Sequence, residues 1–227
     1  MIFFRSLRSY IQMLYSMLGI FFSLLKGIWK ISRLKHPPVT IFGGARLHPE
    51  NIYMKQASEL AHMLANEGIP VLNGGGPGIM EAASCGALLT KSHLINALGI
   101  TVPGLNEGTP PSACDPEILI IHNYAARKWL LIEYSIGYVV FPGGYGTLNE
   151  FSEVLTLIQT KLHAKVPIIL VGKDYWGPLM IWINESALQN DLIARDDAAL
   201  FTVTDDSMEA FRILLSAHPR THDKQTR

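Results

Sequence analysis

The spacing of hydrophobic and polar residues divides this chain into two parts with different periods. Residues 9–25 are seventeen consecutive uncharged positions with basic residues on either side. Across the longer stretch 5–33, Arg5, Arg8, Gln12, Ser16, Gly19, Ser23, Lys26, Lys30 and Arg33 recur at steps of three or four. That spacing predicts one long helix with a narrow polar or small stripe and a wide apolar face. Such a helix can pack on its own domain or on a partner subunit, lie in a membrane surface, or span a bilayer, for which it is slightly short.

Beyond His36-Pro37-Pro38, where proline ends the helix, short apolar runs alternate with helical ones. Strands are expected at 39–42, 69–72, 99–102, 118–121, 138–141, 167–171 and 201–203, most of them ending in glycine, proline or asparagine. Helices are expected over 53–66, from Pro77 through 87, after Arg127, after the loop at 142–147, and over 176–188 and 207–216. Continuous apolar strands alternating with helices predict an α/β fold, a doubly wound, Rossmann-like parallel sheet with an added N-terminal hydrophobic helix. The expected division is a helical segment 1–36, a Rossmann-like domain 37–216, and a polar tail 217–227. In such sheets ligands sit beyond the carboxyl ends of the strands, near the point where strand order reverses. Residues 43–46, 73–81, 122–127 and 142–150 would then converge on one crevice.

Composition adds three constraints. At 227 residues and 48% apolar, the chain suits a single domain with a substantial core. Its net charge is zero, but the first 49 residues hold seven basic residues and no acid, leaving twelve bases against nineteen acids downstream. The acidic body argues against nucleic acid as a partner. Cys85 and Cys114 lie in no CxxC spacing, so neither a disulfide framework nor a structural zinc site is expected, and a reducing, cytoplasmic setting fits. The first alanine is Ala45, so no A-x-A-like cleavage site follows the apolar run and a signal peptide is disfavoured. No histidines occur at metal-binding spacing; His122 alone stands at a strand end in the expected crevice.

The chemistry is concentrated in glycine-rich turns. Residues 141–150 read Phe-Pro-Gly-Gly-Tyr-Gly-Thr-Leu-Asn-Glu. Gly143, Gly144 and Gly146 let the backbone approach an anion, and the opening turn of the following helix offers free N–H groups at its positive dipole end. Thr147-Leu148-Asn149-Glu150 also satisfies the capping-box pattern, which by itself would make Thr147 the N-cap and Glu150 its partner. A second loop, Asn73-Gly74-Gly75-Gly76-Pro77-Gly78, repeats the design after an earlier strand. Neither loop has the third glycine of the dinucleotide fingerprint, and no P-loop motif occurs, so NAD binding and P-loop chemistry are disfavoured. Arg127 and Lys128, like Arg46, read by default as solvated charges.

Taken in order, Gly74 to Glu81, Arg127-Lys128 and Pro142 to Glu150 resemble the motifs of the LOG family, the cytokinin riboside 5′-monophosphate phosphoribohydrolases, often labelled lysine decarboxylases. The likeness extends from about residue 38 to about 215. Gly44 stands where many relatives have serine, removing a hydroxyl. The resemblance implies hydrolysis of the N-glycosidic bond of a nucleoside 5′-monophosphate, AMP or a cytokinin riboside monophosphate, to free base and ribose 5-phosphate. It implies catalytic roles for Arg127 and Glu150, and substrate contacts from Gly75, Gly76, Met80, Glu81, Lys128, Gly143, Gly144, Tyr145, Gly146 and Thr147. It implies no cofactor and no metal; pyridoxal phosphate lacks an identifiable lysine motif here. It further implies a homodimer, or a higher homo-oligomer, with the helices after Arg127 and Glu150 near the interface. The expected location is cytoplasmic, with membrane-surface contact open for residues 1–33. The alternative is a non-catalytic protein that binds a nucleotide or molybdenum cofactor on the same loops.

Overall fold

The computed structural model describes residues 2–90, 95–104 and 114–218, without the side chains of 2–9. The expected tail therefore lies almost wholly outside the described residues. Helix α1 runs from Ile2–Ile31, and is followed by β1 (Val39–Phe42), α2 (Ile52–Asn66), β2 (Val71–Asn73), α3 (Ile79–Leu88), β3 (Ala97–Thr101) and β4 (Glu117–Ile120). The second half comprises α4 (Tyr124–Glu133), β5 (Tyr138–Val140), α5 (Tyr145–Gln159), β6 (Ile168–Val171), α6 (Lys173–Trp182), a π-helical turn at Ile183–Leu188, α7 (Arg195–Ala198), β7 (Thr202–Thr204) and α8 (Ser207–Ala217).

The seven strands form one sheet in the order β4-β3-β2-β1-β5-β6-β7, and all pairings are parallel. Chain order reverses between β1 and β5, which is the doubly wound switch point the alternating pattern called for. One face carries α2, α3 and α8 over Val39, Ile41, Val71, Ala97, Val139 and Ile169. The other carries α4 and α5 over Phe42, Leu72, Leu98, Tyr138, Val140 and Leu170, and the C-terminal third of α1 joins it through Ile31. Adjacent residues of a strand thus enter opposite cores, which is why the strands read as unbroken apolar runs. Thr40, fully buried in β1, donates from Oγ1 to the Leu131 carbonyl at 2.7 Å and fastens α4 to the central strand.

Two expectations need correction. Cys85 and Cys114 form a disulfide, with Cα atoms 5.4 Å apart, joining α3 to the segment that leads into the edge strand β4. Twenty-nine residues separate them, and only the placement of α3 beside the β3–β4 edge brings them together. The long helix expected over 176–188 is also revised. It begins three residues earlier at Lys173, contains Pro178, and gives way at Ile183 to the π-helical turn.

Candidate active site

The C-terminal ends of β1, β2, β3 and β5 hold the candidate site, and its centre is a buried ion pair. Arg127 lies in the first turn of α4, after Asn123, whose side chain caps the helix by accepting from the Ala126 N–H. It shares the apolar stripe of α4 with Leu130 and Leu131, three and four residues on, so the fold carries it inward with them. Only 3% of Arg127 is exposed. Its guanidinium donates in three directions: Nε to the Ile100 carbonyl at 2.7 Å, Nη2 to the Gly74 carbonyl at 3.3 Å, and Nη1 to Glu150 Oε1 at 3.3 Å. Strand β3, the loop after β2, and helix α5 are thereby fixed to one cation. The default reading of Arg127 as a solvated charge is overturned.

Glycine makes room for this arrangement. A Cβ at Gly74 would stand 2.1 Å from Arg127 Nη2 and 2.8 Å from Met80 Sδ. Gly78, at φ +68°, brings the start of α3 against the loop after β1, and a Cβ there would lie 2.3 Å from the Gly44 carbonyl. That carbonyl accepts the Ile79 N–H at 3.1 Å. Across the switch point, the Gly44 N–H donates to the Pro142 carbonyl at 2.9 Å, so the loops after β1 and β5 are bonded to each other.

The loop at 142–147 does not form a capping box. Helix α5 starts at Tyr145 with Gly144 as its N-cap, three residues before the expected cap at Thr147. The first bond from its opening turns runs from Leu148 N–H back to the Gly144 carbonyl at 3.0 Å, so the N–H groups of Tyr145, Gly146 and Thr147 have no carbonyl within the helix. Gly144, Tyr145 and Gly146 are exposed, Tyr145 at 92%, and a Cβ on Gly144 or Gly146 would meet open space. Thr147 is buried instead; its hydroxyl packs under Gly143, where a Cβ would come within 2.1 Å of it. Thr147 thus supports the loop from beneath. Glu150 stands in the second turn of α5, pairs with Arg127, and is buried at 8% exposure.

The other expected residues divide. Gly75 adopts φ +71° and its N–H bonds to Asn73 Oδ1 at 2.9 Å, while Gly76 and Met80 are buried in the same loop and first turn. Glu81 follows Met80; its Oε1 is buried without a hydrogen-bond partner, and burial pushes its carboxyl pKa upward. No hydrogen bond joins Glu81 to Arg127 among the described residues. Lys128 is turned away from the crevice onto α5, where Nζ donates to Asn149 Oδ1 at 2.8 Å and pairs with Glu153. His122 is exposed and makes no polar contact among the described residues.

Two supporting residues escaped the sequence reading. Asn73, fully buried at the end of β2, donates to the Met80 carbonyl and to Ser84 Oγ at 2.8 Å while accepting from Gly75, which locks the glycine loop to α3. Its signal was an amide side chain ending an apolar strand. Tyr175, in α6, donates its hydroxyl to the Gly143 carbonyl and braces the other loop. A separate apolar cavity of about 330 Å³ lies on the far side of α5, lined in part by Leu148, Phe151, Leu155, Leu179, Trp182 and Ile183. None of the candidate site residues lines it.

A family model described as possible lysine decarboxylase matches residues 80–214. A cytokinin riboside 5′-monophosphate phosphoribohydrolase from Rhodococcoides fascians is 27% identical over 152 residues, 66% of this chain and 76% of that protein. A pyrimidine/purine nucleotide 5′-monophosphate nucleosidase from Escherichia coli strain K12 is 26% identical over 195 residues, which is 80% of this chain but only 43% of the longer relative. Among solved structures, a molybdenum cofactor binding protein from Rippkaea orientalis superposes with a TM-score of 0.57 at 23% identity, covering 81% of this chain and 98% of that one. At that identity the likeness speaks for the fold alone.

Proposed function

This chain belongs to the family described as possible lysine decarboxylase, whose matching relatives include cytokinin riboside 5′-monophosphate phosphoribohydrolases, and on that premise we propose that it is a nucleotide phosphoribohydrolase. It cleaves the N-glycosidic bond of a nucleoside 5′-monophosphate with water, releasing the free base and ribose 5-phosphate. The observation that carries the reading is the buried Arg127–Glu150 pair at the switch-point end of the sheet, next to a helix start whose first three N–H groups have no carbonyl partner within the helix. The 5′-phosphate takes the N–H groups of Gly144, Tyr145 and Gly146, with the loop supported by Thr147 and Tyr175. As the bond to the base lengthens, positive charge grows at the anomeric carbon, and the Glu150 carboxylate stabilises it and steers the attacking water. Arg127 holds Glu150 in place and donates to the ribose or the departing base. Binding energy at the remote phosphate positions the reacting carbon.

Lys128, the lysine that the LOG resemblance brings to this site, is held on α5 by Asn149 and Glu153 and is not presented to the crevice. The expected result is release of free base from AMP or a related nucleoside monophosphate by the purified protein, followed by chromatography. Binding of the nucleotide without any base release would reduce the site to a carrier.

The enzyme works as a homodimer, and the apolar cavity beside α5 together with exposed Leu148, Ile181 and Trp182 supplies a contact surface for the second copy. Light scattering should give twice the chain mass of 25.2 kDa; a monomer at assay concentration would remove the dimer.

A further inference from the structure

Helix α1 is held to the domain by one side only. Ile20, Leu24 and Ile28 pack on the core that contains α4, and Ile31 is buried in it. Gly27 approaches α4 so closely that a Cβ would fall 2.4 Å from Leu130 Cδ1. On the reverse side, Ile11, Leu14, Leu18, Phe22, Leu25 and Trp29 follow one another at steps of three or four, each between 45% and 63% exposed. At 1.5 Å per residue this is an unbroken apolar ridge of roughly 27 Å. It continues past Phe22, where the opposite side is already docked, so helix and domain leave it open along its whole length.

The flank between the two sides is polar and basic. Gln12, Ser16, Gly19, Ser23, Lys26 and Lys30 run along it, the same line passes through positions 5 and 8, both arginine, and α1 contains no acid. At the ridge's end the Arg33 guanidinium lies over the Trp29 ring at 3.9 Å, joining an aromatic to a cation at the boundary of apolar and polar surface.

We propose that α1 lies in the plane of an anionic lipid surface, with the ridge in the upper acyl region, the basic flank among phosphate headgroups, and the catalytic domain carried on the helix's opposite side. The charge pattern selects this occupant. A second α1 laid on the ridge would bring only positive charge to the rim, whereas anionic headgroups complement it. Residues Tyr10–Ile31 are long and apolar enough to cross a bilayer, but Ile20, Leu24, Gly27 and Ile31 are engaged with the domain. The uncharged part of the helix clear of α4, positions 9–19, covers only roughly 16 Å, short of a hydrocarbon core of about 30 Å.

Flotation of the whole protein with vesicles tests this. The expected result is that it rises with vesicles of equal phosphatidylcholine and phosphatidylglycerol, rises little with phosphatidylcholine alone, and is released by high salt or alkaline carbonate. Leu14→Glu/Leu18→Glu, on exposed ridge positions, should partition at least about tenfold less with an unchanged thermal midpoint. Failure of the wild type to float, or equal flotation of the double variant, overturns the proposal. Retention after carbonate would mean a span, and a ridge-dependent rise in mass without lipid, with flotation unaffected, would mean a second copy; either result also overturns it.

Discussion

Glu150→Gln should reduce base release by about 10²–10⁴-fold, the range for removal of a group that handles charge or protons at the reacting centre. The substitution is nearly isosteric and leaves a side-chain oxygen to accept from Arg127 Nη1, which lies 3.3 Å from Oε1 in the native pair. It removes the negative charge that the oxocarbenium-like ribose requires. Nucleotide affinity should change little, because the proposed phosphate donors are in the first turn of α5, a turn before Glu150. The loss therefore belongs in kcat, with KM nearly constant. The measurement is steady-state base release from AMP by both proteins, alongside nucleotide binding by each. A variant within tenfold of wild type would leave Glu150 as a structural anchor for Arg127. Helix α5 takes Gly144, not Thr147, as its N-cap, so Glu150 stands in the second turn and not at the helix start.

That point shows where sequence patterns were sufficient and where they were not. The five inner strands were legible because they are buried on both faces and so lack polar alternation; the loops were legible because most strands run into glycine, proline or asparagine. Boundaries shifted by one to three residues, as local pattern permits. The capping box was misread because Thr-x-x-Glu describes a chemical possibility, while Gly143 and Gly144 allow the chain to turn three residues sooner and commit the threonine hydroxyl to the underside of the loop. The adjacent charges Arg127 and Lys128 look alike in a sequence, yet about 100° of helix rotation separates them. One joins the stripe of Leu130 and Leu131 and is buried; the other reaches α5. A residue's place on the apolar stripe, more than its neighbour, carried the signal. The Cys85–Cys114 bond had no local signature at all, since it depends on which helix covers the β3–β4 edge. The π-helical turn after α6 likewise follows from packing that periodicity does not encode.

Arg127→Ala should be the most damaging single change in the molecule, costing about 3–5 kcal/mol of stability as well as nearly all activity. The cost comes from what is left behind. The Glu150 carboxylate, 8% exposed, would lose a buried cation, and the carbonyls of Ile100 and Gly74 would each lose a donor. Removing one member of a buried pair is far more costly than removing both, because the survivor keeps its desolvation penalty without its partner. Arg127→Ala/Glu150→Gln should therefore be destabilised by less than the sum of the two single variants, by about 1–3 kcal/mol of coupling, although it is no more active. Urea unfolding of the two single variants, the double variant and the wild type closes the cycle. Strict additivity would mean that the 3.3 Å contact contributes little and that Arg127 acts through its two backbone carbonyls. Positive coupling with both variants inactive would establish that one ion pair ties the loops at the sheet's end together and also presents the carboxylate on which hydrolysis depends. Stability and catalysis would then meet at Arg127, whose removal costs both, whereas Glu150→Gln separates them by removing the charge and keeping the fold.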